Sequence, residues 1–340
     1  MRNNNRILSM DFMRIISILM IMCFHLYVEA SKNPGVHITD LFKPLGIIGV
    51  SFFIIISGGA LSTSSKNEFS VLKFYKKRFL SIYPAFWVTY ISVALCFFIF
   101  GHVVKVGSNP AILAMSFFGM DGYLYSMYKN YYLIGEWFLG FIVIIYTLFP
   151  LIRIIYLRSQ TSALLISIII SSISFHFNDW IYSHSPFWNA NAMWNPTTRL
   201  PEFIFGMMFF DFIRDSRRNT LISLYISIFV ITISNAFGVG YFENLYSTPL
   251  LCASFVATAS IYELLKKPSF FIKTIGCLST YSFIAFLVHH RFIFYIMSND
   301  EIKNITNLRF YLLLSVVIVL SFLSAGILLP VSNKIKGYLS

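Results

Sequence analysis

The chain is 340 residues long, 57% hydrophobic and 18% aromatic, with only 12% charged residues and 37 Phe. That composition lies far from that of soluble domains and excludes a single globule in water. The formal net charge of +12 does not point to nucleic acid, because the Lys and Arg fall mostly between apolar runs, where orientation signals belong.

Apolar runs of about 20 residues are long enough to cross a hydrocarbon core of about 30 Å. Ten are predicted, near 7–29, 44–63, 79–100, 133–156, 161–177, 199–213, 220–237, 249–265, 276–297 and 309–330. The expected fold class is therefore all-α: a polytopic integral membrane protein with about ten transmembrane helices, both termini cytoplasmic, forming a single domain over 1–340. The first run follows polar MRNNNR and is too long, and too lacking in a cleavage site, to be a removable signal peptide. The sixth is short and carries Arg199, Glu202 and Asp211. It must nevertheless cross, or the basic run Arg214, Arg217 and Arg218 would face outside. With ten crossings, Arg2, Arg6, Lys66, Lys73, Lys76, Lys77, Arg78, Arg153, Arg158, Lys266, Lys267, Lys273, Lys334 and Lys336 share the inner side with that run.

Two outer connections are long, 101–132 and 178–198. The second contains NDWIYSHSPFWNANAMWNP, which reads either as interfacial aromatic anchors or as a stacking surface for a sugar ring. The segment AILAMSFFG at 111–119 is too short to span and fits an interfacial or re-entrant position. Cys23, Cys96, Cys252 and Cys277 are scattered through apolar stretches without the paired spacing of a metal site or disulfide framework, so inert core thiols and no metal are expected.

Inside the first run, Arg14 and His25 are eleven residues apart. Eleven helical residues turn the chain about 1,100°, some 20° past three full turns, and rise roughly 16 Å. Both side chains therefore share a face, and an ionisable pair inside a membrane helix marks a functional site. The plainer alternative pairs Arg14 with Asp11 one turn earlier and leaves His25 a satisfied core residue.

Further strings follow in order: GVSFFIIISGGALS, FYKKRFLSIYPAFW, EWFLGFIVIIYTLFP, RLPEFIFGMMFF and SFIAFLVHH. Together with Arg14 and His25 they resemble membrane acyltransferase family 3, the integral-membrane O-acyltransferases of bacterial surface polysaccharides, in its stand-alone form without an added hydrolase-like domain. The resemblance covers nearly the whole chain. Two departures stand out. Ser81 occupies a place where the family usually has a second Arg, and Ile142 and Val143 stand where related members often carry acidic residues, leaving Glu136 as a substitute.

The resemblance implies an acyl-CoA-dependent O-acyltransferase, of the O-acetyltransferase type, multi-pass in a bacterial inner membrane. Its donor would be acetyl-CoA or another acyl-CoA. Its acceptor would be a hydroxyl of a surface or lipid-linked glycan such as lipopolysaccharide O-antigen, capsule or exopolysaccharide. Donor phosphates need Arg or Lys, which Arg14, Lys77 and Arg78 supply at inner helix ends, although the Lys76–Arg78 cluster could equally serve topology alone. His25 is the catalytic candidate, as a base towards a hydroxyl or as a nucleophile that itself takes the acyl group. Acceptor-binding candidates are Glu136, Trp137, Arg199, Glu202 and His289. Arg199 and Glu202 are neighbours on one helical face and could instead simply pair, and His289 could simply pack. Ser57, Gly58 and Gly59 read as a helix-packing site. A transporter or flippase for a lipid-linked glycan is the rival reading, since buried charges in many spans also build transport pathways.

Overall fold

The computed structural model describes residues 8–32, 38–65, 69–100, 112–128, 130–135, 137–213, 216–298 and 305–340; Arg2, Arg6, Lys66 and Arg214 of the basic runs lie outside them. In chain order the helices are α1 (Leu8–Ala30), α2 (Leu45–Ser64), α3 (Val71–Ile99), α4 (Leu113–Phe117), α5 (Asp121–Leu124), α6 (Trp137–Arg158), α7 (Gln160–His176), α8 (Asn178–His184), α9 (Leu200–Ile213), α10 (Arg217–Ala236), α11 (Thr248–Leu264), α12 (Ser269–Met297) and α13 (Asn307–Leu339). No strand occurs among the described residues. The chain is a multi-pass integral membrane protein. Among the described residues eight helices, α1, α2, α3, α6, α10, α11, α12 and α13, are long and apolar enough to cross a membrane, and α7 with α8, bent by 74° at their junction, is long and apolar enough only when the two are taken together.

Local sequence sets where several of these helices begin. Ser70, Ser159, Ser216 and Thr306 each turn a hydroxyl oxygen onto the backbone N–H three residues on, which satisfies a donor that the first helical turn leaves over. The peripheral helices α3, α10 and α13 carry exposed Phe98, Ile99, Phe229, Leu312 and Ile327. Apolar side chains facing outward are what a hydrocarbon solvent allows. The inner helices α1, α2, α9 and α12 bury theirs against one another.

With 14 residues, α9 rises only about 21 Å, short of the hydrocarbon thickness. It is also enclosed by protein, packed on α2, α7, α10 and α11. Its contact with α2 is backbone on backbone: a Cβ placed on Gly58 would lie 2.0 Å from the Phe203 carbonyl oxygen, and one on Gly206 2.0 Å from that of Ile55. The packing role expected for Gly58 is thus observed, and Gly206 is its counterpart across the interface.

Relative helix directions follow from cross-contacts. Ser51 meets Arg199, Gly58 meets Phe203 and Ser62 meets Asp211, so α2 and α9 run parallel. Asp11 meets Ser279 and His25 meets His290, so α1 and α12 are parallel too. Ser9 against Glu263, Tyr75 against Thr147 and Lys76 against Ser340 make α1/α11, α3/α6 and α3/α13 antiparallel. The three relations that span α9, namely α1/α12, α1/α11 and α3/α13, are met when α7 and α9 both count as crossings beside the long helices, in line with the charge pattern.

Candidate active site

Two polar stations lie along the seam between α1 and α12. At the first, Arg14 Nη1 donates to Asp11 Oδ1 at 3.3 Å and to Ser279 Oγ at 3.0 Å, while Ser279 Oγ donates to the same Asp11 oxygen at 2.7 Å. The short-range pairing with Asp11 is therefore real, but it is one part of a tie to α12. The Arg14 side chain remains 33% exposed at this end of the seam. Eleven residues on, roughly 16 Å along the helix, half-buried His25 reaches the second station. There its ring lies 4.0 Å from that of His290, edge to face, and 5.4 Å from that of His289, with His289 and His290 4.9 Å apart.

A ligating nitrogen from each of the three imidazoles lies within 4.8 Å of the others. Phe24, Phe286 and Phe294 wall the group. His289 is fully buried, and its Nδ1 lies 2.6 Å from the Phe286 carbonyl oxygen. A carbonyl oxygen only accepts, so Nδ1 holds the ring proton and Nε2 holds the lone pair. His25 stands five residues before the last residue of α1, Ala30, which puts this station closer to the end of α1 than to its start.

The connection ahead of α6 is fastened beside the histidines. Arg291 Nε donates to the Leu133 carbonyl, and Arg291 Nη2 donates to that of Tyr132 at 3.1 Å. Gly135 N donates to the Leu287 carbonyl at 3.2 Å. Beneath it, Tyr132 N bonds Asn130 Oδ1, Asn130 Nδ2 bonds the Asp121 carbonyl, and Ser116 Oγ bonds Asp121 Oδ1. The segment at 111–119 contributes α4, held to α3 by Trp87 Nε1 on the Phe117 carbonyl at 2.9 Å.

The other expected site residues are placed as follows. Arg199 and Glu202 pair with each other: Arg199 Nη2 reaches the two Glu202 oxygens at 2.9 and 3.1 Å and Ser51 Oγ at 2.5 Å. Their side chains are 2% and 0% exposed, so the pair is sealed between α2 and α9. Trp137 stacks on Trp194 with ring centroids 5.1 Å apart and planes 4° from parallel. The 178–198 connection thereby packs on the start of α6. That connection is ordered by Asn189 and Asn195, which exchange hydrogen bonds with Tyr123 and Asn178. Trp188 Nε1 bonds Asn178 as well, while Trp180 and Phe187 stay exposed.

On α3, Lys77 is exposed, whereas Arg78 turns inward with its guanidinium 5.9 Å from the Phe74 ring centre and 5.7 Å from that of Tyr146. Ser81 donates back to the Arg78 carbonyl at 2.8 Å and so replaces a charge with a local bond. Glu136 lies outside the described residues. Of the four thiols, all free, Cys23 and Cys252 are buried as expected, but Cys96 and Cys277 are exposed, because they face outward from α3 and α12.

The structure thus joins His25 to His289 and holds Arg14 on the same seam, while Arg199 and Glu202 form a separate buried pair. His290, Ser279 and Ser51 are the partners that reading the chain by itself did not assign. The doubled histidine of SFIAFLVHH was visible in the sequence. What was missing was the parallel pairing of α1 with α12, which no local pattern encodes.

A family model described as an acyltransferase domain matches residues 7–326. No curated protein and no solved structure matches the chain.

Proposed function

The chain belongs to membrane acyltransferase family 3, and we propose that it transfers an acyl group, acetyl in the first instance, from cytoplasmic acyl-CoA to a hydroxyl of a surface or lipid-linked glycan. The observation that carries this reading is the α1–α12 seam, which has a partly exposed arginine at one station and a histidine cluster at the other. Arg14, with Lys77 and Arg78 at the corresponding end of α3, supplies donors for the phosphates of the CoA. The separation of about 16 Å between the stations is comparable with the reach of an extended pantetheine arm. The acceptor enters at the opposite end, where Trp137 begins α6, with the Arg199–Glu202 pair deeper below it. His289 lies beside the reacting group there. Basic asymmetry supports an inner membrane orientation with the N-terminus cytoplasmic.

Two routes use His25. In the first, its imidazole takes the proton of the acceptor hydroxyl as that oxygen attacks the thioester carbonyl; the C–S bond breaks, and the proton passes to the leaving thiolate. In the second, an imidazole nitrogen attacks the thioester and expels the thiolate. The hydroxyl then attacks the acyl-imidazole, releasing the ester and restoring the ring, and its proton neutralises the thiolate. Label retained on the protein from acyl-labelled CoA in the absence of acceptor distinguishes the second route.

The test is mass spectrometry of glycans from cells carrying each variant, beside a quantified level of membrane protein. His25→Ala is expected to lower acylation about 10²–10⁴-fold with insertion intact, since the change removes a polar group from an apolar setting. Arg14→Lys should retain part of the activity, keeping charge but losing the bidentate fork. Normal accumulation of His25→Ala together with near wild-type acylation would remove His25 from the chemistry, and glycan acylation unchanged in cells lacking the chain would make the transporter or flippase the better reading.

A further inference from the structure

We propose that His25, His289 and His290 form a binding site for a divalent transition-metal ion of the zinc type, and that its occupation silences His25. Zinc bound by imidazole sits about 2.0–2.1 Å from each nitrogen, which at tetrahedral angles puts ligand nitrogens about 3.3 Å apart. In this structure one nitrogen from each ring already lies within 4.8 Å of the others.

Three features favour this class of ion. The donors are all imidazole, which suits zinc, copper and nickel and not the oxygen-seeking magnesium or calcium. His289 gives its Nδ1 proton to the Phe286 carbonyl at 2.6 Å, the outer-shell bond that fixes a metal-binding tautomer and aims Nε2 as the ligand. Three protein ligands also leave a fourth position for water or another small donor, as in open zinc sites, and half-buried His25 provides the approach.

Two cations, Arg291 and Lys32, lie near enough to act on His290, and each also has a bond partner outside the cluster. Arg291 points its guanidinium at the Leu133 and Tyr132 carbonyls and lies over the rings of Phe97 and Phe294. Lys32, beyond the end of α1, pairs with Glu29 at 2.6 Å. Because the cluster lies nearer the end of α1 at which Ala30 stands, the ion would arrive from that side of the membrane.

Silencing follows from lone-pair chemistry and rests on the acyl-transfer reading of His25. A metal on its imidazole claims the electron pair that would take the hydroxyl proton or attack the thioester. Metal binding itself does not depend on that reading, so the two can fail separately.

The experiment uses the full chain, without a polyhistidine tag, purified in detergent and titrated with zinc chloride against a chromophoric chelator. One zinc per chain is expected, with affinity lowered at least about tenfold in His289→Gln and in His290→Gln. His176→Gln and His184→Gln, on exposed residues of α7 and α8, should bind like the wild type. Size-exclusion profiles identify any variant that fails to fold, and cobalt absorption of tetrahedral intensity gives an independent view of the site. In the acylation assay, zinc should slow the wild-type chain and a chelator should restore it. Substoichiometric zinc, or binding unchanged in a folded His290→Gln protein, overturns the site. Zinc binding at the histidines of a protein whose acylation it leaves untouched overturns the silencing.

Discussion

Arg199 and Glu202 show how burial decides what a charged residue does. With 2% and 0% exposure, neither ion has water to fall back on. Removing one partner strands the other, a loss of about 3–5 kcal/mol where buried pairs have been broken. Glu202→Gln or Arg199→Gln should therefore lower thermal stability in detergent sharply, while replacing both together with methionine should be much milder. Acetyl-CoA affinity of the surviving protein is expected to stay near wild type, since the pair is sealed among its own partners and shares none of them with Arg14. A stable single variant with lost donor affinity would contradict that placement. His25 differs in kind: its surroundings are other imidazoles and phenyl rings, so its replacement tests chemistry and not charge balance.

At the level of elements, α9 depends on two glycines. Gly206→Val should cripple accumulation of the protein, because the added carbon meets the Ile55 backbone oxygen at 2.0 Å and backbone cannot give way as a flexible side chain would. Gly326→Ala in α13, where nothing lies within 4 Å, should be neutral or gain about 0.5–1 kcal/mol from helix propensity. Quantified membrane levels and melting temperatures check both. The short α5 carries a pH response. Burial pushes the Asp121 carboxyl up from 3.8 to about 6, the hydrogen bond from Ser116 pulling the other way. The folded chain thus holds a proton that the unfolded chain has released, and stability falls as pH climbs from 3.8 to about 6 and is level above. Asp121→Asn should flatten that slope in melting curves taken on either side of the upper value. An unchanged slope would assign the response to another group.

For the molecule as a whole, the testable quantity is sidedness. Parallel α1 with α12 requires an odd number of crossings between them, which α2, α3, α6, α7, α10 and α11 reach only with short α9 included. Single cysteines at Arg217, at Lys266 and near Ser340, in a background without the four native thiols, should be shielded from an impermeant reagent added outside. One at Trp180 should be labelled. Labelling at Arg217 from outside would break both the charge rule and the helix directions seen here.

Much of this was legible in the order of residues. Apolar run length specified a helical membrane protein because a hydrocarbon core accepts little else, and the spacing of Arg14 from His25 put both on one face because helical geometry is fixed. Gly58 could be read as a packing site for the same local reason. Tertiary structure alone decided which helix lies beside which. It brought His289 and His290 to His25, gave Arg14 a second partner in Ser279, and closed Arg199 and Glu202 against Ser51. It also allowed a helix of 14 residues to serve as a crossing by surrounding it with protein. Those outcomes depend on contacts between residues far apart in the chain, set by the packing of whole helix surfaces, and periodicity within a single helix carries no record of its neighbour.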